Sequence, residues 1–321
     1  MTCKTLARTC EQTAAVEATG MRSRGFTLIE LLVVIAIIGM LLAVLIPALQ
    51  IAKEQATGAV CLANLNGLTK AHNMYQSEND AWLVMAGCFP IGDDDLVWGR
   101  YRWVKPPQDE HGNFTLHNST VEEKKNGIMK GAMYPYTENV KLYHCPGDKR
   151  YVKDLVYGGG AKGAYRSYSM PDGAHGVPRG QNGAGWTNGR RTLTGAPGGN
   201  VTVTMLYKYN EVVTPSSKYM YVEEAYTHAP GVDSRLYPPD RGYNADLWSF
   251  WDSNTWTAWW DPLAYFHNDR STLGYLDGHA EKWTWRDPRT IRFAKNRESE
   301  PRNQPGNPDQ EMMSLNYPCR R

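Results

Sequence analysis

The sequence predicts an α+β chain in which one long N-terminal helix, hydrophobic in its first half, packs on a C-terminal antiparallel β-rich domain with long loops. Three observations lead there. Residues 31–52 carry no charge at all. After that run Cys61, Leu65, Leu68, His72 and Tyr75 recur at helical intervals, the pattern of one buried helix face. Beyond Glu78-Asn79-Asp80 the composition turns to Gly, Pro, aromatic residues and short apolar runs, which is how strands separated by loops read.

The helix comes first. About 20 apolar residues at ~1.5 Å each cover the hydrocarbon core of a bilayer, so residues 26–49 are long enough to be membrane-embedded. Arg22 and Arg24 flank the run on its N-terminal side and hold that end in the cytoplasm by the positive-inside bias. Glu30 is the one acid at the head of the run. A carboxylate there is costly without a partner, which makes Glu30 a functional-site candidate. A single helix over residues 27–77 would measure roughly 75 Å. Pro47 inside it predicts a kink, not a stop, and Gly58 and Gly67 weaken it locally.

The string Gly25-Phe26-Thr27-Leu28-Ile29-Glu30-Leu31 resembles the processing site of type IV prepilins and type II secretion pseudopilins. The resemblance implies a pilin-like fold, cleavage after Gly25 by a prepilin peptidase, and methylation of the new amino terminus at Phe26. It also implies that Glu30 meets the Phe26 amino group of a neighbouring subunit as filaments form, and that Pro47 loosens the helix where it leaves the membrane. The partners it implies are the peptidase, other pilin-like subunits in self-assembly, and the inner membrane before assembly. A cleavable secretory signal has a shorter apolar core and a small-residue cut site, neither of which appears here.

Residues 1–25 are read as a leader, and Met21 offers an alternative start that leaves the compact leader Met-Arg-Ser-Arg-Gly. Removing residues 1–25 takes away four basic and two acidic side chains and lowers the formal charge from +2 to 0. No clustered basic excess remains, so a nucleic-acid surface is not expected. The remaining chain is read as a single-pass inner-membrane protein with an exported C-terminal domain, periplasmic or at the cell surface once in a filament.

The exported domain is placed at residues 79–296. Residues 201–209 alternate strictly and predict a strand, residues 218–225 a second, and residues 273–285 a hairpin around Asp277-Gly278. That dipeptide suits a type I′ turn, in which both central residues take positive φ. Residues 158–200 hold thirteen glycines and are read as a long surface insertion. The polar, proline-containing stretch 297–321 is expected to be a loosely ordered tail.

Cys61, Cys88, Cys145 and Cys319 lie beyond the leader, and an oxidising compartment favours pairing. Cys61 and Cys145 are disulfide candidates. Their bridge would clamp helix to domain, with a stabilisation of ~4–5 kcal/mol in the chain-entropy model. Three full pairings stay open, as does a set of free buried thiols. No CxxC or HxxxH spacing is present, so no zinc site is expected.

A second resemblance lies near the other end. His267, nine residues, then Asp277-Gly278 is similar to the H-X9-DG element of a group of prepilin-like proteins. Leu142-Tyr143-His144-Cys145-Pro146-Gly147-Asp148 resembles their Cys-Pro-x-Asp box, and Cys61-Leu62-Ala63-Asn64-Leu65-Asn66 their helix box. Physically, His267 is expected to bond a backbone carbonyl or Asp277 across the hairpin. A metal site from His267, Asp277 and His279 is the sharper but less favoured alternative.

Other side chains carry candidate chemistry. Asp93-Asp94-Asp95 offers oxygen ligands for Ca2+ but lacks the alternating spacing of a dedicated loop, and Asp240, Asp246, Asp252 and Asp261 are scattered. No cofactor is therefore expected, with Ca2+ the single weak candidate. Trp248, Trp251, Trp256, Trp259 and Trp260 crowd together. They are read chiefly as packing, and alternatively as the glycan-binding face of a membrane-tethered or filament-displayed adhesin. No GxSxG, HExxH or phosphate-loop signature supports an enzyme, and none is expected.

Overall fold

The computed structural model describes residues 26–87, 99–115, 119–149, 165–171, 173, 174, 176, 190–196, 198–224, 258, 259, 261, 263–295 and 300–320. The chain divides into two compact units, Met1–Leu49 and Gln50–Arg321. Helix α1, Leu28–Glu78, supplies residues to both and is helical through Pro47.

In the first unit every described residue is exposed. Leu28 is 79% exposed, Ile37 55% and Leu41 65%, so the apolar surface is not confined to one stripe. A helix that is apolar all round is covered by lipid or by other helices when it functions.

In the second unit the same helix changes character. Cys61, Leu65, Leu68, His72 and Tyr75, the face expected from spacing, are all buried, together with Ala71. They enter a core with Trp103, Tyr143, Tyr168, Met220 and Tyr221. The polar members are tied down. The His72 Nδ1 atom lies 3.2 Å from the Tyr221 hydroxyl, and Thr69 Oγ1 donates to the Gly278 carbonyl at 2.8 Å.

The surface that receives the helix is an antiparallel four-stranded sheet in the order β1-β4-β5-β6. Its strands are β1 (Tyr168–Ser169), β4 (Tyr219–Glu223), β5 (Arg270–Tyr275) and β6 (Ala280–Thr284). Every residue of β4 is buried, because both faces of this central strand are covered. A register shift between Tyr219 and Tyr221 turns Met220 and Tyr221 together into the helix-side core, while Tyr219 and Val222 enter a second core.

That second core is closed by a three-stranded sheet in the order β2-β3-β7, formed by β2 (Arg190–Ala196), β3 (Gly199–Met205) and β7 (Cys319–Arg320). The second unit also carries the short α-helices α2 (Val121–Met129), α3 (Tyr134–Thr137), α4 (Pro288–Lys295) and α5 (Pro308–Leu315), with several 3-10 turns between elements. The start of α2 is fixed by a capping box between Thr120 and Glu123, which satisfies two otherwise orphaned backbone donors.

Four expectations are corrected. The predicted strand 201–209 ends at Met205 and passes into a 3-10 turn at Tyr209–Glu211, where the Glu211 carboxylate accepts from the Tyr207 and Lys208 amides. The β5–β6 turn is not type I′: Gly278 has φ +101 but Asp277 is not in the positive-φ region. Gly278 N donates to Tyr275 O and Tyr275 N donates to His279 O. This closes a three-residue loop, a type I turn followed by a left-handed glycine.

The glycine-rich stretch is not wholly a surface insertion either, since Tyr168, Met170 and Ala174 are buried. Glycine lets the backbone lie close: a Cβ at Gly176 would sit 1.4 Å from the Leu83 carbonyl oxygen. The last correction is the tail. Residues 300–320 supply α5 and β7 and bury Asp309, Gln310, Met313 and Tyr317. Its polar composition reflects internal hydrogen bonding, because Asn307 Oδ1 caps α5 by accepting from the Asp309 and Gln310 amides.

Candidate functional site

Two places carry the chemistry singled out in the sequence. The first is the head of α1. Thr27 N donates to Glu30 Oε2 at 2.8 Å, Thr27 Oγ1 donates to the same oxygen at 2.8 Å, and Glu30 N donates to Thr27 Oγ1 at 3.2 Å. Thr27-x-x-Glu30 is thus a capping box that starts the helix, with the acid also placed favourably for the helix dipole. Spacing alone contained this signal, and the sequence reading passed over it. The cap occupies Glu30 Oε2. Gly25, on the other side of the expected cut, lies outside the described residues, as do Cys88 and Asp93 to Asp95.

The second place is buried. Cys61 from α1, Cys145 from the loop after the 3-10 turn Val140–Tyr143, Glu223 from the end of β4 and His267 from the turn before β5 bring their ligand atoms within 4.8 Å of one another. The Sγ atoms of Cys61 and Cys145 are 2.7 Å apart. Cys145 Sγ lies 3.4 Å from His267 Nε2 and accepts from the Gly147 amide at 3.3 Å. His267 Nε2 lies 3.1 Å from Glu223 Oε1. The other oxygen, Glu223 Oε2, accepts from Thr272 N at 3.3 Å and Thr272 Oγ1 at 3.1 Å. No arginine or lysine among the described residues pairs with Glu223.

Electrostatics set the protonation pattern. The hydrogen bond from Cys145, with help from His267, pulls the Cys61 thiol down to about 7 against burial and the Glu223 charge. Burial and the Cys61 neighbour push the Cys145 thiol up. For His267 burial favours the neutral ring, but hydrogen bonds and charge from Cys61 and Glu223 outweigh it and raise the group to about 10.

The structure therefore places Cys61, Cys145 and His267 together, and adds Glu223, which the sequence reading did not single out. His267 pairs with Glu223 and Cys145 and not, as expected, with Asp277 or a carbonyl. Asp277 instead meets His279 Nδ1 at 2.5 Å in the hairpin turn, so His267, Asp277 and His279 do not form a metal set. Trp259 is 1% exposed and packs edge-on against Trp285 and stacked on Phe293. It offers no ring to a ligand, and Trp248, Trp251, Trp256 and Trp260 lie outside the described residues. The adhesin reading finds no support here.

Comparison with known proteins points to the head of α1. A family model described as the prokaryotic N-terminal methylation motif matches residues 20–46. Over 60 residues the chain is 52% identical to the type IV wide pilus major component PilA4 of Thermus thermophilus, covering 19% of this chain and 46% of that protein. It is 38% identical over 63 residues to type II secretion system core protein G of Pectobacterium carotovorum, covering 20% and 40%. It is 30% identical over 141 residues to the type IV major fimbrial protein FimA of Dichelobacter nodosus, covering 39% and 86%. The chain thus spans under half the length of the first two of these relatives and most of the third. No solved structure matches it.

Proposed function

Because the chain belongs to the type IV pilin family, we propose that it is a filament subunit of a type IV pilus or of a type II secretion pseudopilus. The subunit is cleaved after Gly25 by a prepilin peptidase, methylated at Phe26, held in the inner membrane by residues 26–49 and assembled with other pilin-like subunits through that helix. Before assembly it spans the membrane once with its β-rich domain exported. The relatives are structural subunits, and enzymatic activity is not part of this reading.

The observation that carries the proposal is the apolar helix head with one acid in it. From residue 26 to residue 50 every side chain is exposed, which a solitary soluble chain does not tolerate. Glu30 is the single charge in that surface, and among the described residues only its Oε2 is engaged, by Thr27. Oε1 is left for the amino terminus of a neighbouring subunit, a pairing that offsets the cost of a charge in an apolar setting.

Glu30→Gln tests this cleanly, because glutamine also completes a capping box and so preserves the helix start while removing the charge. The expected result is a processed subunit that no longer enters filaments in a sheared-filament assay. Wild-type filament yield from Glu30→Gln would contradict the assembly role.

A further inference from the structure

We propose that Cys61, Cys145, Glu223 and His267 form a buried tetrahedral site for a thiophilic divalent cation of the zinc class, joining helix α1 to the β-sheet domain.

The donor set is two sulfurs, one imidazole nitrogen and one carboxylate oxygen, a combination zinc takes from proteins. All four residues are buried, with Cys61, Cys145 and Glu223 fully so. Around one zinc ion, with Zn–S near 2.3 Å and Zn–N and Zn–O near 2.0 Å, a tetrahedron puts sulfur and nitrogen about 3.6 Å apart and nitrogen and oxygen about 3.3 Å apart. The observed separations are 3.4 Å for Cys145 Sγ to His267 Nε2 and 3.1 Å for His267 Nε2 to Glu223 Oε1. Opening the sulfur pair from 2.7 Å by about 1 Å completes the tetrahedron.

The surroundings behave as an outer shell. Thr272 holds Glu223 Oε2 through its amide and hydroxyl, which turns Oε1 toward the cluster. The Gly147 amide donates to Cys145 Sγ, a bond that orients a ligating thiolate. The fully buried Glu223 carboxylate pairs with His267, and a divalent cation held by both takes the place of the imidazolium proton and keeps that buried charge compensated. The expectation of no zinc rested on linear spacing. Here the four ligands come from four remote segments, a helix, a loop, a strand end and a turn, so no local motif exists to be read.

The test is metal analysis of the full chain, purified in detergent without chelator, by inductively coupled plasma mass spectrometry. The expected result is about one zinc per chain, lost in Cys145→Ser and Glu223→Gln, with a fall in Tm on chelation that added Zn2+ reverses. Should those variants fail to fold, Co2+ reconstitution of the wild-type chain serves instead. Sulfur-to-cobalt charge transfer with tetrahedral d–d bands supports the site. Three results overturn it. One is a metal-free chain whose Cys61 and Cys145 peptides are joined and two hydrogens lighter. Another is a substoichiometric zinc content unchanged by Cys145→Ser. The third is a chain with free thiols and no sulfur-to-cobalt band.

Discussion

Gly274 sits in β5 where α1 crosses the sheet, and its lack of a side chain is what lets the helix come down. A Cβ added there would lie 2.8 Å from Thr69 Cγ2, 3.5 Å from Tyr221 Cβ and 3.7 Å from Leu65 Cδ2. The first distance is well inside the ~3.5–4.0 Å optimum for two carbons. Thr69 cannot rotate its methyl away cheaply, because Oγ1 lies within bonding distance of the carbonyls of Leu65, Asn66 and Gly278. Overpacking of this kind costs about 1–3 kcal/mol.

Gly274 is absent from the positive-φ residues, so alanine meets no backbone strain and the whole penalty belongs to the clash. Gly274→Ala is therefore expected to lower Tm by roughly 2–4 °C for each kcal/mol lost. Thr69→Ser removes only the methyl and keeps the hydroxyl bonds. The double variant should return to within about 1 kcal/mol of Thr69→Ser alone, a favourable coupling of about 1–2 kcal/mol. Urea unfolding of the four chains in detergent reads this directly. A neutral Gly274→Ala, or penalties that simply add, would refute the packing of α1 on β5.

Two other outcomes follow from buried polar groups. Burial pulls His72 down to about 3, so the unfolded chain takes up a proton near 6.5 while the folded chain does not. His72 costs nothing above about pH 6.5 and removes up to ~1.4 kcal/mol per pH unit as pH falls from there toward 3. His72→Leu should flatten that part of the stability profile, and an unchanged slope would rule out a buried neutral His72. Asp309 accepts from the Arg286 and Asp287 amides and from Thr290 Oγ1 at 2.9–3.1 Å, anchoring the start of α4 from α5. Asp309→Ala strands those donors and should cost about 2–4 kcal/mol; a loss under ~0.5 kcal/mol would show that residues 300–320 are not part of the folded domain.

What could be read in advance tracks how local the signal is. The stripe Cys61, Leu65, Leu68, His72, Tyr75 was legible because one helix face meets one sheet and the period survives over four turns. The hairpin from Arg270 to Thr284 was legible because Asp277-Gly278 marks a turn whatever its type. The turn type was not legible, since it depends on whether two or three residues close the loop, and that is set by strand register. The tail was misread because Asp309, Gln310 and Asn307 look like solvent-facing residues, while in the fold they satisfy one another and the backbone. Glu223 ends a strand buried on both faces, and nothing in Tyr219–Glu223 distinguishes its acid from a solvated strand end until His267 and Thr272 are seen beside it.

The N-terminal mass of the chain isolated from its own cells tests the central claim most directly. Tandem mass spectrometry should find a terminal peptide that begins at Phe26 and carries one methyl group on its amino nitrogen. A chain that still holds residues 21–25 would contradict processing, and with it the reading of α1 as a helix released from the membrane into a filament.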